Sequence, residues 1–215
     1  ASWEMPIQYS GILSEARAVR SGAGIFDVSH MGRVEITGSE AAEFLHHLVT
    51  ADVVNMPVGR ARYTLICNES GGIIDDTIVY RLEDERFLLI PNAANADEVS
   101  SWLNQWKDKL AIRVEIRGLT EETALIALQG PQAEEILQLE ASIDLSCIRP
   151  FRCVEGQISD VPVIVCRTGY TGEDGFEIIL PVRDAPQIWL GFKERGATPC
   201  GLGARDVLRL EAGLL

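Results

Sequence analysis

The stretch Gly71-Gly72-Ile73-Ile74-Asp75-Asp76-Thr77-Ile78-Val79-Tyr80 constrains this chain more than any other. Two glycines open it and β-branched residues run on to a tyrosine, which predicts a turn followed by a strand. Strand side chains alternate, so one face carries Ile74, Asp76, Ile78 and Tyr80, and the other carries Ile73, Asp75, Thr77 and Val79. Asp76 then falls between two isoleucines on the more apolar face. A carboxylate there is costly unless it is paired or hydrogen-bonded. Such a setting suits a group that manages protons, and it equally suits a structural aspartate bonded to a turn or an arginine.

The flanking sequence predicts strands and helices in turn. Ser14 to Ser21 reads as a short helix ended by Gly22 and Gly24. A strand over 32–37 precedes a helix with Ser39 as its N-cap and Ala41, Phe44, Leu45 and Leu48 as its buried stripe. Strands are expected over 63–67 and 87–91. Asn95 and Glu98 form the pattern of a capping box for a helix with Val99, Trp102, Leu103 and Trp106 on one face.

The second half repeats this plan. A strand over 123–128 leads through Gly130 to Pro131, expected at the first position of a helix whose stripe is Ala133, Ile136 and Leu137. A glycine-rich turn, a strand over 176–180 and a helix bearing Trp189 and Phe192 follow. The parallel implies an internal duplication, with pseudo-repeats at about 26–112 and 113–200. The expected class is α+β, built from two duplicated antiparallel sheet-plus-helix halves, in preference to a doubly wound parallel sheet.

The composition narrows the partners. The chain has 215 residues, 47% hydrophobic and 24% charged, with a formal net charge of -13. That balance disfavours nucleic acid and anionic membrane, which need a basic face. No apolar run reaches the ~20 residues that span a bilayer, and the first residues show no signal peptide. Five cysteines, none in a C-x-x-C pair, read as inert thiols of a reduced intracellular protein. The histidines His30, His46 and His47 fall in no ligand spacing, so no metal is expected.

Two further clusters carry chemistry. Residues 167–177 are dense in glycine but precede a strand, which excludes the dinucleotide fingerprint, and no Gly-Lys-Ser/Thr is present. They read either as a hairpin loop or as a loop closing on a flat ligand with Tyr170 and Glu177 as contacts. Downstream, Gly201 and Gly203 lead into an amphipathic helix with Val207, Leu208 and Leu210 apolar. Arg205 lies in its first turn, where a cation opposes the helix dipole, which fits either a compensating anion on the protein or a ligand or a surface salt bridge worth little.

In order along the chain, Phe26-Asp27-Val28-Ser29-His30-Met31-Gly32, Gly71-Gly72-Ile73-Ile74-Asp75-Asp76, Gly169-Tyr170-Thr171-Gly172-Glu173-Asp174-Gly175-Phe176-Glu177 and Gly201-Leu202-Gly203-Ala204-Arg205-Asp206 resemble the aminomethyltransferase (T-protein) family of the glycine cleavage system. The resemblance covers essentially the whole chain. It implies a single folate-binding region over 1–215, truncated at both ends, since family members begin before Ala1 and continue past Leu214-Leu215 into a β-barrel domain absent here.

The resemblance also implies tetrahydrofolate as co-substrate and the lipoylated H-protein as partner. The one-carbon unit of an aminomethyl-lipoyl arm passes to tetrahydrofolate with release of ammonia. Carried over, Asp76 resembles the essential carboxylate beside the reacting folate nitrogens, and Glu177 the pterin anchor. Tyr63, Tyr80, Asn92, Tyr170 and Arg205 resemble other members of the folate site. Arg149 departs from relatives that carry an aromatic residue there. A cytoplasmic location is implied, or the mitochondrial matrix in a eukaryote. A folate-dependent demethylase or a non-catalytic folate-binding regulator would share the fold. The Asp75-Asp76 pair favours an enzyme.

Overall fold

The computed structural model describes residues 3–214, so the chain end at Leu215 lies outside the described residues. The chain runs α1 (Ile12–Ser21), β1 (Gly24–Asp27), β2 (Val34–Thr37), α2 (Ala41–Leu48), β3 (Arg60–Cys67), β4 (Ile73–Glu83), β5 (Arg86–Ile90), α3 (Ala96–Leu110), β6 (Glu115–Gly118), β7 (Thr123–Gln129), α4 (Ala133–Gln138), β8 (Cys153–Ile158), β9 (Val161–Cys166), β10 (Gly175–Pro181), α5 (Ala185–Glu194), β11 (Thr198–Pro199) and α6 (Leu202–Glu211). It divides into two compact units, residues 30–121 and residues 3–29 with 122–214. No helix of the described residues is long and apolar enough to cross a membrane.

The first unit is a five-stranded sheet in the order β3-β4-β5-β2-β6, antiparallel at every pairing. The expected stripe of α2 is buried at all four positions. It packs with Val34, Ile36, Val79, Phe87 and Leu89 of the sheet and with Val99 and Leu103 of α3. Each such side chain contributes about 1.5–3 kcal/mol on burial. Trp102 and Trp106 meet edge to face at 5.7 Å against the same core. Neither expected cap forms. The N-cap of α2 is Glu40, without a side-chain bond, so Ser39 lies one residue too early. Asn95 occupies the N-cap of α3, but its side chain makes no capping bond.

The second unit is a six-stranded sheet in the order β11-β1-β7-β10-β9-β8. Only the short β1–β11 contact is parallel. The central strand β7 is buried from Ala124 to Gln129. One face of the sheet carries Ile25, Ile126, Leu128, Phe176 and Ile178 into a core with Ile136 and Leu137 of α4 and Ile188 and Phe192 of α5. α4 starts at Ala133, so Pro131 precedes the helix instead of opening it, and Gly130 turns the chain there at φ 122°. On α6 the buried residues are Ala204 and Leu208, whereas Leu210 is 60% exposed. The protein is therefore a mixed α+β chain of two antiparallel-dominated sheets covered by helices.

Candidate functional site

The first unit gathers Asp75, Asp76, Asn92 and Tyr63 around adjacent strands. Antiparallel pairing sets Leu65 opposite Asp76 and Ile66 opposite Asp75, and brings Ile90, at the end of β5, opposite Ile78. Asn92, two residues past that strand, turns back onto both aspartates. Its amide Nδ2 donates to Asp75 Oδ1 at 3.0 Å, to the Asp76 carbonyl at 2.8 Å and to Asp76 Oδ1 at 3.0 Å. Two N–H groups thus serve three acceptors, so at least one bond is shared. The Asn92 backbone N–H donates to Asp75 Oδ2 at 2.9 Å, and Asn95 Nδ2 donates to Asp75 Oδ1 at 2.7 Å. The other Asp76 oxygen, Oδ2, accepts from the Tyr63 hydroxyl at 3.0 Å.

The burial of the two carboxylates reverses the expectation. Asp75 is 2% exposed, and Asp76 is only half-buried. The alternation itself holds from Asp75 to Val79, but the face that meets the core is the one with Asp75, Thr77 and Val79. Just before it, β3 and β4 pair residue for residue as far as Ile66–Asp75, and then a bulge sets Cys67 opposite Ile73 and leaves Ile74 without a partner. Ile74 consequently packs against the same core as Val79, although simple alternation separates them. Asp75 is the buried carboxylate that needs hydrogen bonds, and Asn92 and Asn95 supply them. Asp76 keeps a partly open carboxylate whose two oxygens are both oriented, one by an amide and one by a phenol. Tyr63 is 51% exposed, whereas Tyr80 is 1% exposed and packed within the sheet beside Leu88.

The second unit gathers Glu177, Tyr170 and Arg205. Glu177 lies on β10 opposite Ala127 and Cys166, on the face away from the aliphatic core. Its Oε2 accepts from the Thr168 hydroxyl at 2.5 Å. The Arg205 guanidinium stands 4.4 Å from the centroid of the Tyr170 ring. Burial pulls the Arg205 pKa below its ordinary value, and the negative charge of Glu177 opposes that shift. The anion that the position of Arg205 calls for is therefore Glu177, with the Tyr170 ring face beside it.

The loop over 167–174 is held from several sides. The fully buried Gln129 donates to the Thr168 carbonyl at 3.1 Å and accepts from the Thr171 hydroxyl at 2.8 Å. A Cβ at Gly169 would lie 1.9 Å from Gln129 Oε1, so only glycine lets the loop approach that amide. Arg167 pairs with Asp174 and, at 2.6 Å, with Glu134. Gly172, at φ +77°, presses against Ala212 at the end of α6.

Two residues of α1 complete the frame. Arg20 donates to the Thr171 carbonyl at 2.7 Å and Glu173 at 2.9 Å from the loop, and to the Leu208 carbonyl at 3.2 Å and Glu211 at 3.0 Å from α6. Glu15, fully buried, accepts from the backbone N–H groups of Tyr9, Ser10, Gly11 and Gly201. Burial alone would raise its pKa, but those four bonds hold it below its ordinary value of 4.5.

Residues 1–215 match the family model described as the GCVT N-terminal domain. The chain belongs to the GCVT N-terminal domain family. It is 50% identical over 214 residues to the aminomethyltransferase of Rubrobacter xylanophilus, covering 100% of this chain and 57% of that protein. It is 47% identical over 216 residues to the aminomethyltransferase of Desulforamulus reducens, covering 99% of this chain and 58% of that one. This GCVT N-terminal domain thus spans less than two thirds of the length of the curated relatives it matches. Among solved structures, the glycine cleavage system aminomethyltransferase T of Bartonella henselae superposes with a TM-score of 0.91 at 37% identity, over 99% of this chain and 57% of that chain. A heterotetrameric sarcosine oxidase from Corynebacterium sp. U-96 shares the fold at a TM-score of 0.59 and 16% identity, over 92% of each chain.

Within this GCVT N-terminal domain, Asp76, Asn92 and Tyr63 are directly hydrogen-bonded, and Tyr170 and Arg205 are stacked. Arg149 is exposed on a loop. Sequence reasoning missed Asn95, Thr168, Gln129, Glu15 and Arg20. Asn95 reads in the sequence only as the start of a capping box, and its bond to Asp75 spans twenty residues. Arg20 and Gln129 had no local signal, because their partners lie far along the chain. Thr168 sits inside the glycine-rich stretch, and Glu15 has local donors besides the distant Gly201 N–H, but nothing in the sequence marks either as a hydrogen-bonding centre.

Proposed function

We propose that this chain is the folate-binding portion of a cytoplasmic glycine cleavage T-protein. The reaction moves the one-carbon unit from the aminomethyl-lipoyl arm of an H-protein to tetrahydrofolate and releases ammonia. The observation that carries this reading is the half-open Asp76 carboxylate, oriented at one oxygen by Asn92 and at the other by Tyr63. The curated relatives named aminomethyltransferase support it. The two units are read as duplicated halves, and the part of the relatives beyond this chain is read as the family's β-barrel.

The chemistry follows from these side chains. Two folate nitrogens must in turn bond to a methylene carbon that bears nitrogen and sulfur, while its C–N bond breaks to release ammonia and its C–S bond breaks to leave the lipoyl thiol, the two folate N–H protons passing to the leaving groups. A fixed carboxylate orients the attacking amine, accepts its proton as the new C–N bond forms, and stabilises positive charge on the transferring carbon. Asp76 has the required partial exposure and fixed geometry. Asp75, already saturated with donors, holds Asn92 and Asn95 in place. On the second unit, a pterin presents an amino group and a ring N–H side by side, which one carboxylate accepts together. Glu177 takes that role, with Thr168 holding one of its oxygens. Tyr170 supplies a flat face for the ring, and Arg205 maintains the local charge balance. Asn92 completes the proposed folate-binding set, and Tyr80, 1% exposed, backs it from within the sheet.

Single-turnover assays on the full-length enzyme test the reading. Aminomethyl-loaded lipoyl carrier, supplied with tetrahydrofolate, is expected to yield methylenetetrahydrofolate and ammonia, whereas N-methylated amines are expected to yield neither. Faster turnover of an N-methylated amine than of the carrier would replace this reading with that of a demethylase.

A further inference from the structure

The second unit contains a cleft of about 420 Å³ that plays no part in the proposed transfer. It opens beside α5 and is walled by Trp3, Tyr9 and Trp189, with Asp27 and Ser29 at one side and Ile126 at its base. Its volume falls within the usual range for small-molecule sites. It lies on the opposite sheet face from Glu177. In the ladder, Asp27, Ile126 and Ile178 are directly paired across three strands, whereas Glu177 pairs with Ala127 one position over. Directly paired residues share a face and successive residues alternate.

The lining has the chemistry of a cation site. The Tyr9 and Trp189 rings stand with centroids 6.2 Å apart and planes inclined at 38°, forming a wedge instead of a closed stack. Trp3 and Tyr9 remain 42% and 51% exposed, so their faces are accessible. Asp27 Oδ1 accepts from the Ser29 backbone N–H at 2.9 Å, which fixes the carboxylate. Oδ2 has no hydrogen-bond donor among the described residues. Among the described residues no lysine, arginine or histidine lines the cleft. The Tyr9 hydroxyl reports the resulting field. Burial first, and then the charges of Asp27 and Glu15, raise its pKa. Aromatic faces and an uncompensated carboxylate converge on the preference of a weakly hydrated organic cation, which gains from ring quadrupoles and from the anion together.

We propose that this cleft binds a compact organic cation of the alkylated ammonium class, seated at the open side of the wedge against the Trp3, Tyr9 and Trp189 rings with its charge toward Asp27. The site is independent of the folate reading and requires no covalent step.

Choline and its uncharged isostere 3,3-dimethylbutan-1-ol separate this from simple apolar binding. Titration of this chain is followed by nuclear magnetic resonance of the tryptophan indole N–H signals, assigned with single Trp→Phe variants. Choline is expected to shift the Trp189 signal saturably and to leave Trp102 and Trp106 in place. The isostere is expected to bind about tenfold more weakly, within the span of cation–π and charge contributions. Asp27→Asn, which keeps the oxygen that Ser29 needs, is expected to weaken choline about fivefold or more without changing the melting temperature. Equal affinity for choline and the isostere, choline binding unchanged by Asp27→Asn, or no saturable shift at Trp189 would each overturn the proposal. If Asp27→Asn unfolds the chain, Trp189→Leu supplies the second test, with loss of choline binding expected and retained binding overturning it.

Discussion

Asn92 bonds both carboxylates of an adjacent aspartate pair, but it leaves them in different states: Asp75 is sealed at 2% exposure, and Asp76 is half open. The two acids therefore have separable tasks, and substitution distinguishes them.

Asp76→Asn keeps the size of the side chain and one acceptor but removes the charge and the capacity to take a proton. In the full-length enzyme, turnover is expected to fall about 10²-fold or more, the usual scale of acid–base contributions. Folate affinity is expected to change far less, because the lost interaction operates mainly in the transition state. Single-turnover rates and folate titrations check this. Near-normal turnover at saturating folate would remove Asp76 from the chemistry.

Asp75→Ala acts through stability. It removes the acceptor of the Asn92 backbone N–H and of the Asn95 amide, two donors around a buried side chain, whereas the Asn92 amide keeps its bonds to Asp76. The expected cost is about 2–3 kcal/mol, the scale of unsatisfied buried donors facing a lost charge. Denaturant titration of this chain measures it. A stability equal to that of the parent would show that the donors find other acceptors.

Glu177→Ala tests the pterin anchor. This chain is expected to bind tetrahydrofolate, and the variant to bind about tenfold more weakly or worse, since a hydrogen bond to a charged group contributes about 1.5–3 kcal/mol. Calorimetry of both proteins decides it. Identical isotherms would place the pterin elsewhere.

Glu15 predicts a pH signature. Its carboxyl is held below the ordinary 4.5 when folded, so its stabilisation is fully present above that value and is lost as pH falls through the folded pKa. Glu15→Gln is expected to melt at lower temperature than the parent near pH 7, with the gap narrowing below about pH 4.5 as the parent loses its advantage. Melting curves across that range are the measurement. A gap that stays constant with pH would mean that the charge contributes nothing.

Native thiol reactivity gives an independent check on packing. Burial, assisted by the Glu15 charge, pushes the Cys200 thiol up to about 12, whereas Cys147 is exposed. A thiol-specific alkylating reagent near neutral pH is expected to modify Cys147 in the folded chain and to reach Cys200 only after unfolding. Comparable rates at the two positions would contradict the buried placement.

The strongest periodic signals in the sequence correspond to observed elements: the stripe of α2, the strand beginning after Gly72, and the helices with Val99 and with Phe192. Strands β8 and β9 left no clear trace. The first contains Gly156, and the second carries Pro162, which weakens a strand reading although the ladder accommodates it opposite Gln157. The aspartate pair was legible, and so was the alternation that puts Asp75 and Asp76 on opposite faces, but not which face meets the core, because that depends on the helices packed against the sheet. The bulge at Ile74, which turns that residue toward the core, is a register event between two strands, and neither strand alone encodes it. Similarly, Arg205 signalled a missing anion, but only tertiary structure supplies Glu177, which acts through space and not through helix contacts.

Arg20 has one further consequence. Its guanidinium holds the backbone of the Tyr170 loop and that of the Arg205 helix at once. Tyr170 and Arg205 are therefore mounted on a common bracket. The spacing between ring and guanidinium depends on a side chain that hydrogen-bonds to neither, so a lesion in the first helix reaches a pair it does not touch.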